Sequence, residues 1–158
     1  MDIWRRKYYL SALNQQIIPR IKTGVLITAK KISMRYSIDK QERFAVLHLH
    51  EDNLNSVVAP NLKSELVILS NEGVPNLILD LAEVKYVDSS GLSAILTANR
   101  LWKSLGAFVL TGITHDTVRK LIEISRLDSV LTILPTLEES KDFVILEDIE
   151  RSLSAERL

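Results

Sequence analysis

Apolar and polar positions along this chain change their period several times, and each change marks an element. From Tyr36 to Gln41 and from Arg43 to His50 the alternation is close to two, which predicts two strands joined by a tight turn. In the second strand Ala45, Leu47 and Leu49 share one face, while Phe44, Val46, His48 and His50 share the other. Asp52 to Ser56 is polar and reads as a loop. A helix then starts at Ser56 or Ala59, with Pro60 in its first turn, where no amide is needed. Leu62, Leu66 and Leu69 form its apolar stripe. Asn71-Glu72-Gly73 ends it, with Gly73 suited to the left-handed position beyond a helix and Pro75 close behind.

Leu77-Ile78-Leu79 is a short continuous apolar run, the pattern of a buried parallel strand, and Val84–Val87 continues towards Asp88. After Ser89 a helix is predicted with Leu92, Ile95, Leu96, Trp102 and Leu105 on one side, stopping at Gly106. Phe108-Val109-Leu110 is the next strand and Gly112 its exit. Asp116 to Ser125 is a third helix, with Val118, Leu121, Ile122 and Ile124 apolar, and Val130–Leu134 a last strand. Thr136 and Glu139 fit a capping box that opens a final helix, with Ile145, Ile149 and Leu153 as its stripe. In that helix Phe143-Val144-Ile145-Leu146 covers more than one face, which implies either deep burial or a hydrophobic docking surface. The order β-β-α-β-α-β-α-β-α predicts an α/β domain, a mixed sheet packed by about four helices.

Composition adds limits rather than identity. The chain has 158 residues, 46% hydrophobic and 25% charged, enough for one packed core. No cysteine is present, which removes disulfides, thiolate metal sites and a cysteine nucleophile, and is compatible with the cytosol. No apolar run approaches the ~20 residues of a membrane helix. The net charge of zero conceals an asymmetry. Residues 1–33 carry Arg5, Arg6, Lys7, Arg20, Lys22, Lys30 and Lys31 against Asp2 alone, so the remainder is acidic. An acidic body predicts no direct nucleic-acid contact and a partner with a basic face. The basic segment reads either as a tail that touches a membrane or partner, or as sequence upstream of a true start at Met34.

Candidate chemistry concentrates in Asp88-Ser89-Ser90-Gly91-Leu92, between a strand and a helix. Small hydroxyl residues at a helix start lie beside unpaired amides and the positive end of the dipole, a setting that tolerates a phosphate on Ser90. On spacing alone, Ser89 or Ser90 is better explained as a helix N-cap. His48 and His50 share a strand face as two zinc ligands would. The only other histidine is His115, so a half-exposed strand face is the simpler account. A serine-hydrolase elbow wants glycines where Asp88 and Leu92 stand, and the adjacent His115-Asp116 pair is badly placed as base and orienter. Trp102 reads as core or helix rim.

Leu79-Asp80-Leu81 followed by Val87-Asp88-Ser89-Ser90-Gly91-Leu92 resembles the signature of STAS domains, the anti-sigma factor antagonist family. The segments 59–66, 99–103 and 121–130 look especially like stand-alone, Bacteroidetes-type members. The resemblance implies a basic extension at 1–33, a STAS domain at 34–153 and a tail at 154–158. It implies a cytoplasmic, non-enzymatic regulator with no cofactor of its own and no membrane span. Ser90, directly before the glycine, would be the phosphoacceptor, with Asp88, Ser89, Gly91 and Leu92 forming the phosphorylation loop. The implied partners are an anti-sigma factor that is also a GHKL-type serine kinase, bound when Ser90 is unphosphorylated, and a PP2C-type phosphatase. The alternative within the family is a non-switching STAS subunit of a lipid-transport or stress-signalling complex. One departure is Asn55, where many members carry an acidic residue: the hydrogen bonding is kept and the charge lost.

Overall fold

The structure is a computed structural model and describes residues 33–157. The expected basic extension therefore lies outside the described residues, apart from Ser33. The strands are β1 (Tyr36–Lys40), β2 (Ala45–Leu49), β3 (Asn53–Leu54), β4 (Leu77–Asp80), β5 (Tyr86–Val87), β6 (Phe108–Thr111) and β7 (Thr132–Leu134). The helices are α1 (Ala59–Asn71), α2 (Ser89–Trp102), α3 (Asp116–Ile124) and α4 (Leu137–Glu156), with a 3-10 turn at Leu127–Ser129. Five strands form a mixed sheet in the order β1-β2-β4-β6-β7. Only the β1–β2 pair is antiparallel, with Ser37 opposite His48; the other neighbours run parallel. This is the expected α/β class, with four helices in the expected order.

The sheet is buried on both faces, as parallel sheets are. On one face Phe44, Val46, Ile78 and Val109 pack with Val144 of α4. The alternate residues Leu47, Leu77, Leu79 and Leu110 are fully buried on the other. Phe44 and Val46 were expected on the same face as the half-exposed His48 and His50. Both are buried because α4 covers their end of that face, a cover that period-two alternation in β2 cannot reveal.

Three further expectations need correction. Asp52 to Ser56 is not all loop: β3 pairs in parallel with β5 as a separate two-stranded sheet, Asn53 opposite Tyr86 and Leu54 opposite Val87. The buried face of α2 is Gly91, Ala94, Ile95, Ala98 and Trp102, whereas Leu96 is exposed and Leu92 only partly covered. Ile95 and Trp102 of the expected stripe are fully buried, and small residues make up the rest of the inner face, which lets α1 and α2 approach closely. In α4, Val144 and Ser140 are buried, while Leu146 (61%), Ile149 (39%) and Leu153 (51%) remain exposed. Of the expected stripe, Ile145 is half-buried against the core cluster while Ile149 and Leu153 are turned away, and of the run 143–146 only Val144 is fully buried.

A polar network decides that rotation. Asn76 is fully buried at the start of β4. Its amide nitrogen donates to the Arg43 carbonyl (2.7 Å) and to Asp148 Oδ1 of α4 (3.3 Å). Its oxygen accepts from the Ala107 amide (2.8 Å) and from Arg151 of α4 (2.6 Å). One side chain thus satisfies backbone groups beside β2 and β6 and fixes which face of α4 turns inward. At the other end of the helix, Thr136 Oγ1 accepts from the Glu139 amide at 3.2 Å, the expected N-cap. Helix α1 ends as predicted, with Gly73 at φ +78° and its amide donating to the Ser70 carbonyl.

Candidate functional site

Helix α2 is capped by Asp88, not by either serine. Asp88 has extended backbone angles, and its Oδ1 accepts from the Gly91 amide at 2.9 Å. Its Oδ2 accepts from the Ser56 amide at 3.3 Å, tying the start of α2 to the loop that leads into α1. The N-cap role open to Ser89 or Ser90 is thereby taken. Among the described residues neither serine hydroxyl has a hydrogen-bond partner. Ser89 is exposed, Ser90 half-buried, and Leu92 half-buried behind them.

Gly91 has a packing reason to be glycine. A Cβ there would overlap the Leu54 carbonyl and stand 2.7 Å from Val87 Cγ1 and 2.8 Å from Leu54 Cγ. The first turn of α2 thus rests directly on the β3–β5 pair, which holds Ser89 and Ser90 at a fixed height above the surface.

The loop before α1 is organised by Asn55, whose Oδ1 accepts from the Val57 (3.0 Å) and Val58 (3.2 Å) amides. Its carbonyl accepts from the Ala59 amide at 2.8 Å. The hydrogen-bonding part of this position is in use, and no charge is needed for it. Between the two helix starts lies an open pocket of about 270 Å³, lined by Ser56, Ala59, Pro60 and Lys63 on one side and Ser89, Ser90 and Ser93 on the other. Lys63 Nζ donates to Ser93 Oγ at 3.0 Å. Of these seven, sequence reasoning singled out only Ser89 and Ser90. The signal for Lys63 and Ser93 was their i, i+3 spacing from Pro60 and Ser90, which sets each pair on one helix face.

The other candidates resolve into structural roles. His48 Nδ1 pairs with Asp80 Oδ2 at 2.8 Å across the parallel β2–β4 pair. His50 bonds Glu83 through Nδ1 and Ser37 Oγ through Nε2, the latter at 2.8 Å. The two rings stack with centroids 6.3 Å apart. Among the described residues no group of three or more His, Cys, Asp or Glu side chains is placed to hold a metal. His115 contacts Thr114 Oγ1 at the start of α3, and no histidine hydrogen-bonds Ser90 among the described residues. Trp102 is fully buried and donates to the Val74 carbonyl at 3.1 Å.

One acid is perturbed away from the pocket. Glu65 of α1 is buried, accepts from the Tyr36 hydroxyl at 3.0 Å and leaves Oε1 without a partner. Burial holds its carboxyl above the usual range, the nearby Glu72 adds to this, and the Tyr36 hydrogen bond and Lys40 oppose it. Burial, and then the Glu65 charge, push the Tyr36 phenol well above its ordinary value.

Residues 35–140 match the model of the STAS domain family. Among solved structures, the chain is similar to an anti-sigma factor antagonist from Mycobacterium paratuberculosis, with 20% identity, 72% of this chain and 96% of that one covered, and a TM-score of 0.63. A putative anti-sigma factor antagonist from Thermotoga maritima matches at 24% identity, 70% and 93% coverage and a TM-score of 0.59. The anti-sigma factor antagonist SpoIIAA matches in its unphosphorylated form at 22% identity, 70% and 96% coverage and a TM-score of 0.61. SpoIIAA from Bacillus in its phosphorylated form matches at 21% identity, 70% and 99% coverage and a TM-score of 0.56. Among the described residues no helix is long and apolar enough to cross a membrane.

Proposed function

The chain belongs to the STAS domain family, and from that premise we propose that it is an anti-sigma factor antagonist switched by phosphorylation of Ser90. In this reading the unphosphorylated form binds an anti-sigma factor that is also a GHKL-type serine kinase. The kinase phosphorylates Ser90 with its own ATP, the complex separates, and a PP2C-type phosphatase restores the binding form. The protein itself is a regulator rather than an enzyme and acts in the cytoplasm.

The observation that carries the reading is the division of labour at the start of α2. Asp88 caps the helix, so the Ser90 hydroxyl is spared from structural duty and opens on the pocket. A phosphate there adds roughly −1.5 to −2 charges at neutral pH. The exposed first amides and the helix dipole favour that charge, so the fold has no reason to change. What changes is the surface a partner meets: the small neutral hydroxyl of Ser90 between α1 and α2 becomes a bulky anion. Ser89, although more exposed, stands one residue farther from Gly91 and from the packed floor beneath the loop.

Intact-mass measurement and peptide mapping after incubation with ATP and the GHKL-type kinases of the source organism test the proposal. A single phosphate on Ser90, absent in Ser90→Ala and retained in Ser89→Ala, is the expected result. The same experiment separates the alternative: a folded protein that accepts no phosphate from any of these kinases is a non-switching STAS subunit. Binding provides a second readout, since Ser90→Ala should hold the kinase and Ser90→Asp should bind it more weakly. Equal binding by both variants would refute the charge argument.

A further inference from the structure

Lys63 is the only charged side chain among the seven that line the pocket beside Ser90. Its ammonium rests on the Ser93 hydroxyl at 3.0 Å, across the gap between α1 and α2. Ser93 follows Ser90 by three residues on α2, and side chains at that spacing have Cβ atoms ~5–6 Å apart. A phosphoryl group on Ser90 would extend into this same space, and the long stem of a half-buried lysine allows its head to follow. We propose that Lys63 is the intramolecular counter-ion of a phosphate on Ser90, exchanging its bond to the neutral Ser93 hydroxyl for an ion pair with the phosphate. The proposal rests on Ser90 being the phosphoacceptor.

The chemistry favours the exchange. A neutral hydroxyl offers an ammonium a hydrogen bond alone, whereas a phosphate dianion adds charge–charge attraction and can accept through any of its oxygens. Asp88, at the start of the same helix, is engaged elsewhere, its two oxygens accepting from the Gly91 and Ser56 amides. The other pocket residues are Ser56, Ala59, Pro60, Ser89 and Ser93, none of which carries charge. Phosphorylation then does two things at once. It places an anion between the helices and withdraws the pocket's cation from any carboxylate that a partner would present there. A partner contact that uses Lys63 is lost together with the neutral surface of Ser90.

The experiment installs phosphoserine at position 90 of the full chain during translation, so that no kinase is needed, and follows the phosphate by phosphorus NMR as a function of pH. The helix N-terminus and Asp88 act alike in every variant, so differences between variants isolate Lys63. The second phosphate pKa, ordinarily about 6, should lie about one unit lower in the wild type than in Lys63→Met. Lys63→Arg should keep the depression. Superimposable titrations of wild type and Lys63→Met overturn the proposal, and Lys63→Gln provides the same comparison should the methionine variant fail to fold. Kinase mapping of the unmodified protein decides separately whether Ser90 is the acceptor. A flat titration thus condemns the lysine, and absent phosphorylation condemns the acceptor.

Discussion

Replacing Asn76 by alanine removes the one side chain that connects β4, the backbone beside β2 and β6, and helix α4. In the native protein its amide group satisfies the Arg43 carbonyl at 2.7 Å and the Ala107 amide at 2.8 Å, and it holds Arg151 at 2.6 Å. Alanine leaves the two backbone groups without their protein partners at a part-buried site. Each such group costs about 1–3 kcal/mol when stranded. Arg151 and Asp148 are partly exposed and keep their mutual bond at 3.4 Å, so their share is small. Partial access of water puts the expected loss at the low end for the two groups together, about 2 kcal/mol. For a domain of this size that corresponds to a fall in Tm of roughly 6–10 °C. Urea unfolding followed by circular dichroism should show a lower midpoint with an unchanged slope, because the surface exposed on unfolding is the same. A loss below about 1 kcal/mol at unchanged slope would refute the accounting, since water or a backbone shift would then be satisfying both groups.

Gly91→Ala sets two effects against each other: helix propensity favours alanine by about 1 kcal/mol, whereas the overlap with the Leu54 carbonyl forces α2 away from β3. The overlap should win, with a net loss of about 1–3 kcal/mol in a denaturant melt, and a stabilised variant would show that the helix is not seated on β3. Glu65→Gln should flatten part of the pH dependence of stability. The native carboxyl titrates above its unfolded value, so it binds more protons folded than unfolded. Its contribution is therefore present at low pH and lost as pH rises through the native pKa. The glutamine variant should gain in Tm over wild type near pH 8 and show no such gain near pH 4, and a gain confined to acid would reverse the sign of this argument. Within α4, Val144→Ala should cost about 2 kcal/mol by opening the cluster with Val46 and Val109. Leu146→Ala, two positions along and exposed, should stay within about 0.5 kcal/mol; similar losses by chemical denaturation would mean that the helix is rotated.

Much of this architecture was legible in the one-dimensional pattern. The continuous apolar run Leu77–Leu79, the Gly73 stop, the Thr136 cap and the alternation of strands with helices each rest on local rules: burial of a parallel strand, a left-handed glycine, a satisfied helix end. The segment Asp88–Leu92 was recognisable as a strand-to-helix turn, because small polar residues and a glycine follow an apolar run there.

Other features depended on groups far apart in the chain. The spacing put the cap of α2 on Ser89 or Ser90, whereas Asp88 takes it while also reaching the Ser56 amide, 32 residues away. The inner face of α2 was only half legible, at Ile95 and Trp102, because close approach to α1 rewards small residues, a property of the neighbour and not of the stripe. The face of α4 was decided by Asn76, 72 residues before Asp148, through a polar network that hydrophobic periodicity cannot represent. Lys63 came to the pocket the same way: a lysine on one helix is a surface charge until a second helix lays Ser90 and Ser93 beside it. Apart from the short β3–β5 pair, sequence alone determined the order and nature of the elements because those follow from short-range backbone and burial rules. Only the tertiary structure decided which side chains meet, because that depends on where distant elements pack.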